Sequence, residues 1–251
     1  MAHMSVNCRS KVLGMPVMLD VLMPQRKGNY KVLYLLHGAG GDHTTWLYKS
    51  NVAEYMEKTD IAVIMPSGNN RFYVNNEHGK DYFTFITEEL PVMCERVFNI
   101  SKNPKDRFIA GMSMGGYGAC YAALKCPGMY AGAFSYSGAL DIGAMYERLA
   151  KKDMFAVFGT RQQLDAGDYD LKKLMNRYKD ENVDKSTKFF ISCGLDDALL
   201  PYNRDCYEYM KQQGFSVEYE ESAGGHDSEY WDKEIKRTIE IISGWSSDGE
   251  V

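Results

Sequence analysis

The chain has 251 residues, 45% of them hydrophobic and 13% aromatic, which is enough for the core of one α/β domain or of two small domains. Its formal net charge of −5 at pH 7 argues against nucleic acid or an anionic membrane as the main partner. No apolar run reaches the roughly 18 residues that a membrane-spanning helix requires, so a membrane is not an expected partner.

The first residues show no signal-peptide pattern. Residues 1–4 read Met-Ala-His-Met and lack the basic and then apolar order of such a peptide. The His3-Met4 pair is typical of a cloning remnant, so residues 1–3 are left out of the predicted fold. A natural signal peptide removed before cloning stays open as an alternative.

The cysteines are predicted to be reduced thiols in a cytoplasmic protein, with no metal site and no disulfide framework. None of them forms a C-x-x-C pair, and none has a histidine at ligand spacing. They are Cys8, Cys94, Cys120, Cys126, Cys193 and Cys206.

Short apolar runs predict the strands. Residues 17–22 alternate in hydrophobicity, which is typical of a half-buried antiparallel strand, and we place this strand at the N-terminal edge of the sheet. Continuous runs are typical of parallel strands that are buried on both faces. They cover residues 32–36, 61–65, 108–110, 131–135 and 189–192, and residues 217–219 are predicted as one more strand.

Helical patterns lie between these strands. Residues 81–97 carry apolar side chains at helical spacing, with Pro91 as the expected kink. Residues 203–213 form a helix closed by Gly214, and Trp231 begins the apolar stripe of a C-terminal helix. Alternating strands and helices predict a single α/β domain over residues 1–251.

Residues 141–187 differ from the rest because they are charged, mixed and too long for one crossover helix. We interpret this inserted segment as a cap that folds over the site and shapes an acyl pocket. Met145, Phe155 and Phe158 are the candidates for the pocket wall. Surface decoration without substrate contact is the alternative.

The most informative stretch is residues 111–116, Gly-Met-Ser-Met-Gly-Gly. It follows the predicted strand 108–110 and precedes a predicted helix over 117–124. Strand, G-x-S-x-G and helix is the order of a nucleophile elbow, whose tight turn projects the serine hydroxyl from the sheet edge. The pattern predicts Ser113 as a nucleophile, and a Gly-rich turn without a catalytic role is the alternative.

A serine nucleophile needs a histidine base and an acid that orients the base. After an elbow of this kind, the acid comes first along the chain and the histidine second. Of five histidines, His226 alone follows Ser113, and it lies in a Gly-rich loop before the C-terminal helix. The acid should follow the next-to-last strand, where Asp196 and Asp197 are both candidates.

Two backbone N–H groups are needed to bind the developing oxyanion. One belongs to the residue after the nucleophile, Met114. The other comes from the loop after strand 32–36, which reads His-Gly-Ala-Gly-Gly over residues 37–41, and we assign it to Ala39. We expect His37 to bond the loop backbone rather than to act in catalysis.

Together these segments resemble the esterase D family of α/β-hydrolases, over about residues 17–245. This family includes tributyrin esterases, S-formylglutathione hydrolases, and the feruloyl and acetylxylan esterases of carbohydrate esterase family 1. The segments that carry the resemblance are residues 35–41 with Trp46, 65–68, 88–91, 111–116, 193–197 and 225–231.

The resemblance implies an α/β-hydrolase fold, with a mostly parallel central sheet, helices on both faces and an inserted cap-like segment. The family's G-x-x-D loop favours Asp197 over Asp196 as the acid, and its oxyanion donors fall on Ala39 and Met114. The chain departs from the S-formylglutathione hydrolase branch, which has a Ser-Gly-Leu-Thr-Cys type oxyanion segment where this chain has His-Gly-Ala-Gly over residues 37–40. This departure favours the tributyrin and carbohydrate esterase branches.

The implied function is a serine carboxylic-ester hydrolase that acts through an acyl-enzyme on short-chain or aromatic esters, such as acetyl, butyryl and feruloyl esters, without a cofactor or metal. A thioesterase of the S-formylglutathione hydrolase type, an acyltransferase with the same triad and a non-catalytic binding protein are the alternatives. The expected partner is a small-molecule ester, plant cell-wall esters included, and a homo-oligomer stays open. The residues expected to bind substrate are Gly38, Trp46, Tyr73, Asn76 and Glu77. The loop after strand 61–65, with Tyr73, Asn75, Asn76, Glu77 and Tyr82, is expected to line the alcohol side, and a solvated loop that leads into a helix is the alternative.

Overall fold

A computed structural model describes residues 1–26, 28–76, 79–180 and 183–246 of the chain. Its strands are β1 (Ala2–Ser10), β2 (Met15–Met23), β3 (Lys31–Leu36), β4 (Ile61–Pro66), β5 (Arg107–Met112), β6 (Gly132–Tyr136), β7 (Lys188–Gly194) and β8 (Val217–Ser222). They form one eight-stranded sheet in the order β1-β2-β4-β3-β5-β6-β7-β8. β1 and β2 pair antiparallel, as do β2 and β4, and every pair from β4 to β8 is parallel.

The sheet is buried on both faces, which explains the continuous apolar runs of its central strands. Along β3, Val32 and Tyr34 face one core cluster, and Leu33 and Leu35 face the other. The first cluster is covered by α5 (Met114–Lys125) and α10 (Leu200–Gln212), and the second by α1 (Thr45–Lys49), α2 (Val52–Tyr55) and α11 (Ser228–Gly244). Helices on both faces are thus as predicted.

The predicted kink near Pro91 takes the form of a π-helical turn. The helical stretch consists of α3 (Tyr82–Thr84), a π-helical turn (Phe85–Glu89) and α4 (Leu90–Val97). Pro91 lies at the start of α4, where the missing N–H of proline is tolerated. Within the π-turn, Glu89 accepts hydrogen bonds from the Ser10 hydroxyl and from the Lys11 N–H, and so fixes the turn between β1 and β2.

The N-terminal expectations require correction. The edge strand is β1, which the sequence reading missed, and the predicted strand at residues 17–22 is the second strand of the sheet. The prediction that residues 1–3 lie outside the fold is wrong, because Ala2 pairs with Met23 and His3 pairs with Leu22. The His3 Nε2 atom also lies 3.0 Å from Asp20 Oδ1.

The inserted segment folds into four helices between β6 and β7, with residues 181 and 182 outside the described part. They are α6 (Ile142–Arg148), α7 (Lys151–Phe158), α8 (Arg161–Ala166) and α9 (Leu171–Asp180). Met145 and Phe158 are buried in the core, whereas Phe155 is 48% exposed. In the described residues, no helix has the length and apolar character needed to cross a bilayer.

Candidate active site

Ser113 occupies a strained turn between β5 and α5. Its backbone has φ 54° and ψ −115°, a conformation that L-residues rarely adopt. The turn brings Gly111 so close to Gly115 that a Cβ on Gly111 would lie 2.4 Å from the Gly115 carbonyl carbon. The glycines of the elbow are therefore required by backbone contact.

A continuous hydrogen-bonded chain links Ser113 to His226 and Asp197. The Nε2 atom of His226 lies 2.9 Å from Ser113 Oγ, and its Nδ1 atom lies 2.8 Å from Asp197 Oδ2. A carboxylate can only accept, so Nδ1 carries the proton and Nε2 is left to accept from the serine hydroxyl. This is the arrangement of a nucleophile, a base and an orienting acid.

The structure brings Asp197, rather than Asp196, to the histidine. Asp197 is 5% exposed, and its Oδ1 accepts the Leu199 N–H at 2.8 Å. Burial opposes ionisation of this carboxyl, but the hydrogen bonds from His226 and from the Leu199 amide outweigh burial and lower the pKa of Asp197. The Asp196 side chain is exposed.

Backbone contacts hold the acid and histidine loops together. The Asp196 N–H donates to the Gly224 carbonyl at 3.0 Å, and a Cβ on Gly194 would lie 2.3 Å from the same oxygen. Immediately after His226, the Asp227 side chain accepts the Tyr230 N–H at 3.0 Å and caps α11. The position of His226 is thus set by β7, β8 and α11 together.

Residues 38–41, the oxyanion turn, follow β3 and approach the elbow. The Gly41 N–H donates to the Gly38 carbonyl at 3.2 Å, and Gly40 has φ 76°, as the third position of a type II turn requires. A Cβ on Gly38 would lie 3.5 Å from Ser113 Cβ. The turn is therefore in van der Waals reach of the nucleophile.

Two amides are available beside Ser113. Met114 is the first residue of α5, whose amide has no intrahelical acceptor. Ala39 is the second residue of the oxyanion turn, and its amide takes no part in the turn's hydrogen bond. In the described part of the chain neither amide has a hydrogen-bond partner, so both are free to bind an oxyanion.

The neutral imidazole of His37 holds the oxyanion turn in place. Its Nδ1 donates to the Gly38 carbonyl at 2.7 Å, and its Nε2 accepts the Gly68 N–H at 2.8 Å. An imidazole that donates from one nitrogen and accepts at the other carries no charge, and burial lowers the pKa of His37. The expected structural role of His37 is confirmed.

The sequence and its relatives identify the family. A family model described as "Putative esterase" matches residues 10–240. The acetyl esterase of Caldicellulosiruptor saccharolyticus is 34% identical, over 97% of this chain and 98% of the relative. The chain belongs to this esterase family.

Solved structures agree with the family. FphF, a fluorophosphonate-binding serine hydrolase of Staphylococcus aureus, is 29% identical with a TM-score of 0.91, over 97% of the esterase and 98% of FphF. S-formylglutathione hydrolase (FrmB) of Staphylococcus aureus is 29% identical with a TM-score of 0.87, over 97% and 99% of the two chains. The esterase has the predicted α/β-hydrolase fold and is a carboxylic ester hydrolase of the esterase D type.

Most of the residues expected to bind substrate are buried in the core of the esterase. Trp46 is 1% exposed and donates from Nε1 to the Leu36 carbonyl at 3.1 Å, and Tyr73 is 0% exposed and donates to the His37 carbonyl at 3.0 Å. Both side chains support the oxyanion turn from the core, so the expectation of direct substrate contact is not met for either.

Of the remaining candidates, Gly38 lies in the oxyanion turn beside Ser113. Asn76 is buried, and its side chain donates to the Val157 carbonyl of α7 at 3.3 Å. It therefore contacts the inserted segment. Asn75 is exposed, and its Nδ2 donates to the Thr84 hydroxyl, whereas Tyr82 is buried. Glu77 lies outside the described residues.

A polar cleft of about 360 Å³ separates the oxyanion turn from α7. Its walls are Gly40, Gly41, Asn69, Asn70, Arg71, Asp153 and Ala156. The Arg71 guanidinium donates to the Ala156 carbonyl at 3.0 Å and ties the two walls together. On the other side of the site, Arg148 of α6 donates to the Ala198 carbonyl, next to the acid.

The sequence predicts Trp231 as an apolar helix position and assigns Asn70 no role, and the structure places Trp231 beside His226 and Asn70 beside the oxyanion turn. The Trp231 ring packs edge-on against the His226 ring, with centroids 5.0 Å apart and an interplanar angle of 87°. The Asn70 side chain accepts the Gly40 N–H of the oxyanion turn. Trp231 was visible as a helical apolar position five residues after the histidine, whereas nothing in the sequence signals the contact of Asn70.

Proposed function

We propose that this esterase hydrolyses short-chain and aromatic carboxylic esters through a covalent acyl-enzyme. The observation that carries the proposal is the hydrogen-bonded chain from Ser113 through His226 to Asp197, with two free amides beside the serine. An acetyl esterase relative supports short acyl groups among the substrates. The predicted cytoplasmic location and plant cell-wall esters stay predictions.

In the first half of the reaction, Ser113 Oγ attacks the ester carbonyl carbon while its proton passes to His226 Nε2. The amides of Ala39 and Met114 bind the tetrahedral oxyanion, and the imidazolium is stabilised by Asp197. The C–O bond to the alcohol then breaks, and His226 gives the proton to the departing oxygen. The serine is left as an ester of the acyl group.

In the second half, water takes the place of the alcohol. His226 accepts a proton from the water as it attacks the acyl carbon, and a second oxyanion forms in the same pair of amides. Collapse of this intermediate releases the carboxylic acid and returns the proton to Ser113. The cycle consumes one water and needs no other reactant.

The inserted segment supports the proposal of a cap. Its helix α7 forms one wall of the cleft beside the oxyanion turn, and α6 contacts the residue after Asp197. Both contacts lie at the carboxyl edge of the sheet, where the catalytic loops meet. We therefore place the substrate between these helices and the loops that carry the three catalytic side chains.

A panel of p-nitrophenyl esters from acetate to laurate, with methyl ferulate, acetylated xylan and S-formylglutathione, tests the substrate class. The proposal expects the highest kcat/KM on acetate or butyrate and a pre-steady-state burst of one p-nitrophenol per active site. Ser113→Ala should lose about 10⁴-fold or more in kcat. A Ser113→Ala variant that keeps most of the wild-type activity contradicts the mechanism.

The similarity to S-formylglutathione hydrolase makes a thioester a second candidate substrate. A higher kcat/KM on S-formylglutathione than on any oxygen ester would favour the thioesterase. An acyltransferase would show new ester products when alcohols are added to the same assay. Hydrolysis that is unchanged by added alcohols supports water as the acceptor.

A further inference from the structure

The oxyanion turn depends on a loop that is remote in sequence. Residues 68–73, the supporting loop, follow β4 and contact the turn region through three hydrogen bonds. Two of them hold His37, through the Gly68 N–H and the Tyr73 hydroxyl. The third reaches the tip of the turn, where the Gly40 N–H donates to Asn70 Oδ1 at 2.5 Å.

The supporting loop has an unusual backbone. Asn69, Phe72 and Tyr73 have φ values of 44°, 53° and 55°, in a region that is costly for residues other than glycine. Dense packing holds this conformation: a Cβ on Gly68 would lie 2.3 Å from the Tyr73 ring, and a Cβ on Gly118 would lie 2.6 Å from it. Strained backbone that is fixed by its surroundings is concentrated at functional sites. Asn70 is thus presented from a rigid support.

Resting on the proposed serine hydrolase mechanism, we propose that Asn70 is a positioning residue for the oxyanion hole. Its Oδ1 engages the Gly40 N–H, and so fixes the peptide between Ala39 and Gly40 in the type II turn. In this turn the Ala39 N–H stays free for the oxyanion. Asn70 itself touches none of the reacting atoms.

Loss of this contact should slow the chemical step. Without Asn70, the turn keeps the Gly41-to-Gly38 hydrogen bond and the contact of His37 Nδ1 with the Gly38 carbonyl. Among the described residues, no other group accepts the Gly40 N–H, so the peptide after Ala39 is less restrained. An oxyanion donor contributes mainly to the transition state, and a small displacement of a catalytic group is costly. The expected effect is therefore on kcat, with KM nearly unchanged.

Two variants of Asn70 and one matched control test the proposal. Asn70→Ala removes the acceptor, whereas Asn70→Asp keeps an acceptor on a side chain of the same length. Asn103→Ala removes the same type of contact, an asparagine Oδ1 bonded to the Lys105 N–H at 3.1 Å, beside the amino end of β5 and remote from Ser113. Both asparagines are exposed, so the variants are expected to fold.

Steady-state kinetics on p-nitrophenyl butyrate should give a kcat about 10- to 100-fold lower for Asn70→Ala, with KM within about 2-fold of wild type. Asn70→Asp should lie between the wild type and Asn70→Ala, because its charge opposes the oxyanion while its oxygen holds the turn. Asn103→Ala should keep kcat within about 2-fold. Equal kcat values for wild type and Asn70→Ala, equal losses in both Asn70 variants, or a loss confined to KM would each overturn the proposal.

Phosphonylation of Ser113 by a fluorophosphonate separates this proposal from the proposed function, because this single step also uses the oxyanion hole but needs no turnover. The second-order rate should fall in Asn70→Ala by a similar factor and stay unchanged in Asn103→Ala. If the wild type is phosphonylated but hydrolyses no ester, the proposed substrates are wrong and the Asn70 comparison still stands. An unchanged phosphonylation rate in Asn70→Ala overturns the positioning role.

Discussion

The tautomer of His226 is decided by one neighbouring carboxylate. Asp197 lies 2.8 Å from Nδ1, and the pKa of its carboxyl is lowered, so it is ionised and acts only as an acceptor at neutral pH. The proton must then sit on Nδ1, and Nε2 faces the serine as a base. In the proposed mechanism, the Asp197 side chain thus determines whether His226 can accept the proton of Ser113.

We therefore expect Asp197→Asn to lower kcat by orders of magnitude. An asparagine NH₂ group would face Nδ1 and favour the tautomer with the proton on Nε2, which cannot accept from Ser113. Asp196→Asn is the matched control, because that side chain is adjacent and exposed. Steady-state kinetics on p-nitrophenyl butyrate measure both variants. A larger loss of kcat in Asp196→Asn than in Asp197→Asn would show that Asp197 is not the acid.

At the scale of secondary-structure elements, the approach of α5 to β3 decides where the oxyanion turn lies. Gly115, in the first turn of α5, packs directly on the end of β3, and a Cβ there would lie 2.4 Å from the Leu36 carbonyl and 2.8 Å from the His37 carbonyl. These are backbone atoms, which cannot move without moving the turn. The close contact at Gly115 therefore fixes the distance between the start of α5 and the end of β3.

Gly115→Ala should lower the free energy of unfolding by about 1–3 kcal/mol and also reduce kcat, because the added methyl group pushes the oxyanion turn from Ser113. Gly244→Ala, at the end of α11, is the control, since no atom lies within 4 Å of its Cβ position. Urea unfolding and steady-state kinetics measure the two effects. A Gly115→Ala variant as stable and active as Gly244→Ala would contradict the close contact.

Helix α11 carries a buried carboxyl that makes stability depend on pH. Glu234 is 3% exposed, and burial raises its pKa. The folded chain then holds this proton more tightly than the unfolded chain. The neutral form is compatible with burial. Stability is therefore lost as the pH rises from the ordinary pKa range of a glutamate carboxyl through the raised pKa of folded Glu234.

Glu234→Gln should therefore have a higher free energy of unfolding than wild type at pH 8, and the two values should converge as the pH falls to 4. Glu240→Gln changes an exposed carboxylate on the same helix and should show no such pH-dependent difference. Urea unfolding at several pH values measures both. If the stability gain of Glu234→Gln over wild type grew as the pH fell, the pKa of Glu234 would be lowered in the folded chain rather than raised.

The predictability of an element follows from how much of it is buried. The central strands were predicted because both of their faces are apolar, whereas β1 shows only half-buried residues at every second position, such as Met4 and Val6. That alternation is present in the sequence at Met4, Val6 and Cys8, but three half-buried positions beside polar residues are a weak signal, and no strand was predicted there. Supporting contacts such as Asn70 to Gly40 join loops 30 positions apart and leave no local pattern.

The same reasoning applies to the site. Ser113 and His226 were predicted because a strained elbow and the order of the triad constrain the sequence. Trp46 and Tyr73 were predicted to face substrate, because an aromatic residue near a catalytic loop has the same sequence signature whether it faces the substrate or the core. Burial decides between the two, and burial depends on the packing of the whole fold.

At the scale of the whole molecule, the inserted segment is joined to the oxyanion region through aromatic packing. Phe158 of α7 is 0% exposed and packs edge-on against Phe72 of the supporting loop, with centroids 5.5 Å apart. Its ring also packs against Tyr169, with centroids 5.0 Å apart. The segment is thus part of the core as well as a wall of the cleft.

Phe158→Ala should lower the free energy of unfolding by about 3–5 kcal/mol, because it leaves a cavity between the segment and the supporting loop. Phe155→Ala, three positions earlier on the same helix, removes a side chain that is 48% exposed and should cost less than about 1 kcal/mol. Thermal or urea unfolding measures both. Similar values for the two variants would mean that the segment packs only loosely on the sheet.

The proposed catalytic groups are far apart along the chain, since Ser113 and His226 are separated by 113 positions and Asp197 and His226 by 29. They meet only when β3, β5, β7 and β8 are in register in one sheet. Parallel strands with such distant pairings form late in folding, after local helices. Turnover in a refolding time course therefore reports the completion of the sheet, and no shorter fragment that lacks one of these strands holds a complete set of catalytic groups.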